Sequence, residues 1–198
     1  MARPVFPGQT PAVPDIRLAT PADLDTLAGT VVVAFDEDPA FRAFFGPDPD
    51  FGPLALAFAT DLLRRRIATD SVWMTDDGDA LAMWDPPAGT VVAPASTLVL
   101  PPDARARLDD YDAQVHGAIT TAPHWYLGVL ASHPHRRGEG LARLVAQAGL
   151  DAAATAGLPA VLETTNPDNV AMYERSGWHT TAELTDVIGL TVWVLQRD

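Results

Sequence analysis

Between His124 and Glu163 the chain runs through an apolar stretch, a glycine-bearing loop, an amphipathic helix and a second apolar stretch. His124 to Ala131 is dense in apolar residues and reads as a strand. From Gly140 to Thr155, Leu141, Leu144, Val145, Ala148 and Ala152 recur on one helical face, and Gly157 ends the helix ahead of Pro159. Ala160 to Glu163 reads as a second strand. Strands joined through a helix of this length are crossover partners and run parallel. The chain is therefore α/β.

The flanking segments are simpler. Ile16-Arg17-Leu18-Ala19 reads as a short strand. Thr20 as N-cap and Pro21 at the first helical position open a helix carrying Leu24, Leu27, Ala28, Val31 and Phe35. An acidic, aromatic stretch over 36–50 precedes a helix from Pro53 to Thr69, whose Arg64-Arg65-Arg66 run is expected to be a solvated end. Ser71–Met74 and Ala80–Trp84 form a hairpin around Asp76-Asp77-Gly78-Asp79. Residues 88–100 show no clear pattern, and Pro101 to Gly117 reads as a polar lid or surface helix. Asn166-Pro167 starts a helix that stops at Ser176-Gly177. Strands near Thr180–Leu184 and Thr191–Gln196 follow. Residues 1–14, with prolines at 4, 7, 11 and 14, are expected to form a flexible arm ahead of a single domain spanning 15–198.

Composition removes whole chemistries. The 198 residues include no cysteine, which excludes disulfides, thiolate nucleophiles and Cys-zinc sites. All 13 basic residues are arginine, so no lysine Schiff base can form. Against 26 acidic residues the net charge is -13, which argues against nucleic acid as a partner. No stretch approaches the roughly 18–20 apolar residues of a membrane span. No membrane partner is expected, and the expected location is cytoplasmic.

The loop Arg136-Arg137-Gly138-Glu139-Gly140-Leu141-Ala142-Arg143 carries the strongest chemical signal. Two glycines let the backbone approach a ligand, and the helix start behind them offers unpaired N–H groups and positive dipole. Together they make an anion seat suited to a pyrophosphate. A dinucleotide fingerprint is an alternative, with Glu163 as the ribose-binding acid. It is disfavoured by Arg143 at the third glycine position and by the five residues His133–Arg137 ahead of the first glycine. A surface turn is the bland alternative.

The run from His124 to Pro134, the loop, and Leu162-Glu163-Thr164-Thr165-Asn166-Pro167-Asp168-Asn169 through Tyr173-Glu174-Arg175-Ser176-Gly177-Trp178 together resemble the GNAT superfamily of N-acetyltransferases. Arg137, Gly140 and Ala142 match its acetyl-CoA signature. The chain looks most like the puromycin N-acetyltransferase group, with Ile16–Thr20, Val72-Trp73 and Leu162-Glu163-Thr164 in support. The resemblance implies a mixed, twisted, mostly antiparallel sheet of six to seven strands flanked by helices, splayed in a V between the fourth and fifth strands. It implies acetyl-CoA as cosubstrate, with backbone groups of Leu130, Ala131 and Ser132 pairing with pantetheine. Backbone N–H groups from Arg137 to Arg143 would hold the pyrophosphate, Arg136 would add positive charge, and Asn166 and Asn169 would lie near the pantetheine. Such folds often pair through terminal strands, so a homodimer is a further implication. Glu139, a negative charge beside the expected pyrophosphate, is expected to point to solvent.

An amine attacking a thioester passes through a tetrahedral oxyanion, which a backbone N–H near Leu130 would stabilise. Tyr173 matches the general acid for the departing thiolate. Glu163 is the candidate base, acting through a water, and His124 a weaker one. Tyr173 could instead only pack against Trp178, Glu163 only cap a helix, and Asn166 before Pro167 is an N-cap in any reading. No metal is expected from His124, His133 and His135. The acceptor is expected to be a small-molecule amine, an aminonucleoside or antibiotic-like compound. Asp36, Glu37 and Asp38 would attract its ammonium, and Phe41 or Trp84 would stack on it. His124 and the hairpin end at Trp84-Asp85 would lie on the same side. A protein or peptide amine acceptor, or a non-catalytic acyl-CoA sensor, are the alternatives.

Overall fold

The computed structural model describes residues 14–47 and 49–198, so the expected N-terminal arm, apart from Pro14, lies outside the described residues. In chain order the elements are β1 (Ile16–Leu18), α1 (Leu24–Ala34), α2 (Pro39–Phe45), α3 (Phe51–Ile67), β2 (Val72–Thr75), β3 (Ala80–Asp85), α4 (Pro102–Ala118), β4 (Trp125–Ser132), α5 (Leu141–Ala156), β5 (Ala160–Thr164), α6 (Pro167–Arg175), β6 (His179–Val187) and β7 (Leu190–Arg197). They build a seven-stranded sheet in the order β1-β2-β3-β4-β5-β7-β6. Only β4 and β5 run parallel, joined by the α5 crossover; every other neighbouring pair is antiparallel. No helix among the described residues is long and apolar enough to cross a membrane.

Local chemistry sets the helix starts. The Thr20 N–H donates to Asp23 Oδ2 at 2.8 Å, and Arg17 grips both Asp23 oxygens at 2.7 and 2.8 Å. The Arg17 guanidinium holds the Asp23 carboxyl well below the usual carboxylate range. At α2, Asp38 caps the N-terminus, its Oδ1 accepting from the Ala40 and Phe41 N–H groups, each at 3.0 Å. This short helix was not resolved within the aromatic stretch, although Asp38-Pro39 repeats the Thr20-Pro21 pattern of cap and first-turn proline.

Both faces of the sheet are covered. Leu81 and Met83 of β3 point into a core shared with α1 to α4, while Ala80, Ala82 and Trp84 point into a second core beneath α5 and α6. The helix α4 is no free lid: Ala104, Leu108, Tyr111 and Val115 are buried at helical spacing. On α5 the buried stripe is Leu141, Val145, Gly149 and Ala153, rotated from the face expected through Leu144, Ala148 and Ala152. The cause is Trp84. It is fully buried, and a Cβ on Gly149 would stand 2.2 Å from its indole ring.

Gly149 is thus the hollow that receives Trp84. Gly149→Ala forces the indole or the helix to move and should cost about 1–3 kcal/mol of stability, read from the midpoint of chemical denaturation.

Candidate active site

β4 and β5 pair only over Trp125–Leu127 and Ala160–Leu162. Beyond Leu127 the strands separate, and a bulge on β4 accompanies the separation. Met83 faces Val129 while Trp84 faces Leu127, so Gly128 is an extra residue on β4. The bulge inverts the alternation: Trp125 and Leu127 pack under α5, but Val129 and Ala131 pack on the opposite face. A side chain here would be crowded. A Cβ on Gly128 would lie 3.2 Å from Tyr126 Cε1 and 3.3 Å from Arg66 Nη2.

The register also assigns the open edge. The His133 N–H donates to the Asp79 carbonyl at 2.7 Å, which makes Asp79 and His133 a hydrogen-bonded pair. Alternation along an antiparallel ladder then makes Leu81 and Ala131 another. Backbone groups of Leu130 and Ser132 face the gap, and those of Ala131 face β3. Three consecutive residues cannot all face one edge, so Ala131 leaves the set expected there.

The gap opens into a cleft of about 490 Å³. Its walls include Leu127–Leu130 of β4, Leu162–Thr165 of β5, and Asn169 and Tyr173 of α6. The far side is formed by α2, α3 and α4 and by the irregular segment after β3. Glu163 Oε2 accepts a short hydrogen bond from the Tyr126 hydroxyl. Burial pushes the Glu163 carboxyl up to about 7; Asp112 adds to this, while Tyr126 and Arg66 oppose it. Burial, with the nearby Glu163 charge, also pushes the Tyr173 phenol up to about 12. Its ring packs edge-on to Trp178 at 5.8 Å, and its carbonyl accepts from the Trp178 N–H at 3.2 Å. Tyr173 therefore both braces the end of α6 and lines the cleft. Asn169 Nδ2 reaches Thr164 Oγ1 at 3.4 Å, and Asn166 caps α6 by accepting from the Asp168 N–H at 3.0 Å.

The far side is acidic and aromatic. Asp38 and Asp112 line it, both raised by burial, with Phe41 inside the cluster of Phe35, Phe44, Phe45 and Phe58. Asp85 pairs with Arg66 at 2.5 Å. The arginine run on α3 is not a solvated end. Arg64 donates to the Ala95 carbonyl and Arg65 to the Pro94 carbonyl, which tether the segment after β3. Four expected acceptor-side residues fall elsewhere, the exposed Glu37 among them. Trp84 is enclosed under α5 and cannot stack on a ligand. Asp36 is exposed and paired with Arg42 at 2.8 Å. His124 Nδ1 sits 2.8 Å from the Ala122 carbonyl, away from the cleft lining. Tyr111, Asp112 and Arg66 were not singled out, because only the packing of α3 and α4 against the sheet brings them to the cleft.

At the glycine loop, Gly138 and Gly140 adopt φ of +88° and +76°. Nothing lies within 4 Å of a Cβ at either, so the demand for glycine is conformational. The N–H groups of Gly138, Gly140, Leu141, Ala142 and Arg143 make no hydrogen bond among the described residues. Arg136 is committed elsewhere. It binds Asp77 at 2.9 Å and Asp79 and Glu139 at 2.8 Å, stapling the loop to the β2–β3 hairpin. Glu139 is exposed to solvent and is also one leg of that staple. The His133 and His135 rings stack at 4.1 Å, with His135 Nε2 3.2 Å from Asp79. Among the described residues no group of three or more His, Asp or Glu side chains is arranged to hold a metal ion.

A family model for the acetyltransferase (GNAT) family matches residues 57–178. Several solved structures share the fold. A crystal structure described as histone acetyltransferase HPA2 and related acetyltransferase, from Corynebacterium glutamicum, aligns at TM-score 0.67 and 22% identity, covering 93% of this chain and 95% of that one. A Drosophila melanogaster polyamine N-acetyltransferase that forms N-acetylagmatine aligns at TM-score 0.67 and 12% identity, covering 92% and 98%. Arylalkylamine N-acetyltransferase 2 from Aedes aegypti aligns at 0.64 and 12% identity, covering 92% and 97%.

The raised Glu163 carboxyl ties stability to pH. The fold favours its protonated form, so this contribution is complete below the ordinary value of 4.5 and is lost as pH rises through about 7. Glu163→Gln should therefore melt at a higher temperature than the parent at pH 8, and the two melting curves should converge near pH 4.

Proposed function

The chain belongs to the acetyltransferase (GNAT) family, and from that premise we propose that it moves an acetyl group from acetyl-CoA directly onto the primary amine of a small molecule. The observation that carries the proposal is a shared cavity: the open β4 edge, Glu163, Tyr173 and an acidic, aromatic chamber all line one cleft. The donor set suits the cosubstrate. Five unpaired N–H groups at Gly138 and Gly140–Arg143 sit at a helix start, where pyrophosphate oxygens bind well. Leu130 and Ser132 offer the backbone pairing that the amides of a pantetheine arm can accept as an added strand would. Asn169 lies beside that edge. Acetyl-CoA, when bound, supplies an acyl group activated as a thioester.

The remaining steps belong to the protein. The acidic chamber draws in a cationic amine and excludes anions. Glu163, ionised above about pH 7, takes the ammonium proton through a water and releases the neutral nucleophile. The Leu130 N–H, directed at the gap, is placed to donate to developing negative charge on oxygen. Tyr173 keeps its proton at Oη across the physiological range, since its phenol titrates at about 12, and holds it for the leaving sulfur. The aromatic chamber around Phe41 and the carboxylates of Asp38 and Asp112 favour an amine attached to a flat or apolar body. That is the character of an aminonucleoside or another antibiotic-like amine. Structural relatives described as acting on agmatine and arylalkylamines fit the same chemistry.

Calorimetric titration should give saturable binding of acetyl-CoA and desulfo-CoA and none of NADH, with Gly140→Asp abolishing it. In a thiol-release assay with puromycin, 2-phenylethylamine and agmatine, Tyr173→Phe should lower kcat about a hundredfold. A folded protein that binds no CoA overturns the reading.

A further inference from the structure

Backbone pairing between β4 and β5 ends at Leu127–Leu162, and the next bond between the two strands is made by side chains, from the Tyr126 hydroxyl to Glu163 Oε2. Tyr126 is opposite Val161 in the register. Glu163, two residues on, shares the face of Val161. The phenol thus leans along the sheet across the mouth of the gap. Its ring has little freedom. Gly128 lies so close that a Cβ there would stand 3.2 Å from the ring, and the His116 ring of α4 meets it edge-on at 5.7 Å. We propose that Tyr126 is a positioning residue for this reaction: it occupies Oε2 of Glu163 and so presents Oε1 to the attacking amine. The inference rests on Glu163 acting as the base.

Other charged and titratable groups face this pair from every side. From α3 comes Arg66, joined to Asp85 of β3; from α4 come Tyr111, Asp112 and His116. Asp38 at the start of α2 and Tyr173 of α6 complete the ring. Among them, Tyr126 alone has a side-chain hydrogen bond to the Glu163 carboxylate. Its hydroxyl favours the ionised form, while Asp112 opposes ionisation and the more distant Arg66 charge supports it. Removing the hydroxyl therefore takes away the strongest local support for the carboxylate.

Five glutamates occur in the chain, so 13C labelling of their carboxyl carbons gives five signals, and Glu163→Gln identifies the one from Glu163. Tyr126→Phe should move the Glu163 titration upward by about one pH unit. In the thiol-release assay the rising limb of kcat/KM against pH should move with it, giving about a fivefold loss at pH 7 that narrows by pH 9. Replacing the three tyrosines by 3-fluorotyrosine, a stronger donor of the same shape, should move the titration the other way, and it carries the test if Tyr126→Phe does not fold. An unmoved Glu163 titration with Glu163 still required for turnover overturns the role of Tyr126 alone. Full turnover by Glu163→Gln overturns the base assignment, and this inference with it.

Discussion

Parallel pairing reaches from Trp125 to Leu127 on β4 and from Ala160 to Leu162 on β5, and goes no further. An unpaired backbone group away from water costs about 1–3 kcal/mol, so an open strand edge inside a fold persists only where solvent or a ligand can reach it. The Gly128 bulge sits where the pairing stops. It turns Leu130 and Ser132 toward the gap and brings Val129 onto the face opposite α5. The rest of the candidate site is arranged around this opening: the glycine loop at one end, Glu163 and Tyr173 beside it, and the chamber under α2 and α4 beyond.

The two ends of the site differ in polarity. At the loop, positive potential comes from backbone N–H groups together with Arg137 and Arg143, while Arg136 is paired with Asp77, Asp79 and Glu139. That staple fixes the loop on the hairpin and leaves the N–H array as the anion seat. At the opposite end Asp38, Asp85, Asp112 and Glu163 face Arg65 and Arg66. A chain with net charge -13 thus presents donors to one ligand and carboxylates to the other. The proposed cationic acceptor and anionic cosubstrate would be sorted to their own ends.

The parts of the fold written in local pattern were legible. Thr20-Pro21 and Asn166-Pro167 mark helix starts, Gly157 marks a helix end, and the crossover dictates the parallel pair. Pattern fails where both sides of an element are apolar. β3 is buried on both faces from Ala80 to Trp84, so no alternation tells which way Trp84 points. On α5 small residues flank the apolar stripe on both sides, and only the bulk of Trp84 shows that Gly149 lies at the centre of the buried face.

The sequence alone determined the crossover and the glycine-bearing loop, because each is a local arrangement of residue types, and its resemblance to a family singled out Glu163 and Tyr173 as candidates. Tertiary structure decided what surrounds them. The Tyr126–Glu163 bond, the desolvation of that carboxyl and the convergence of Asp38, Asp112 and Arg66 join residues from five separate elements. The carboxylate's proton affinity depends on burial and on charges brought close by packing, and neither is a property of neighbours along the chain.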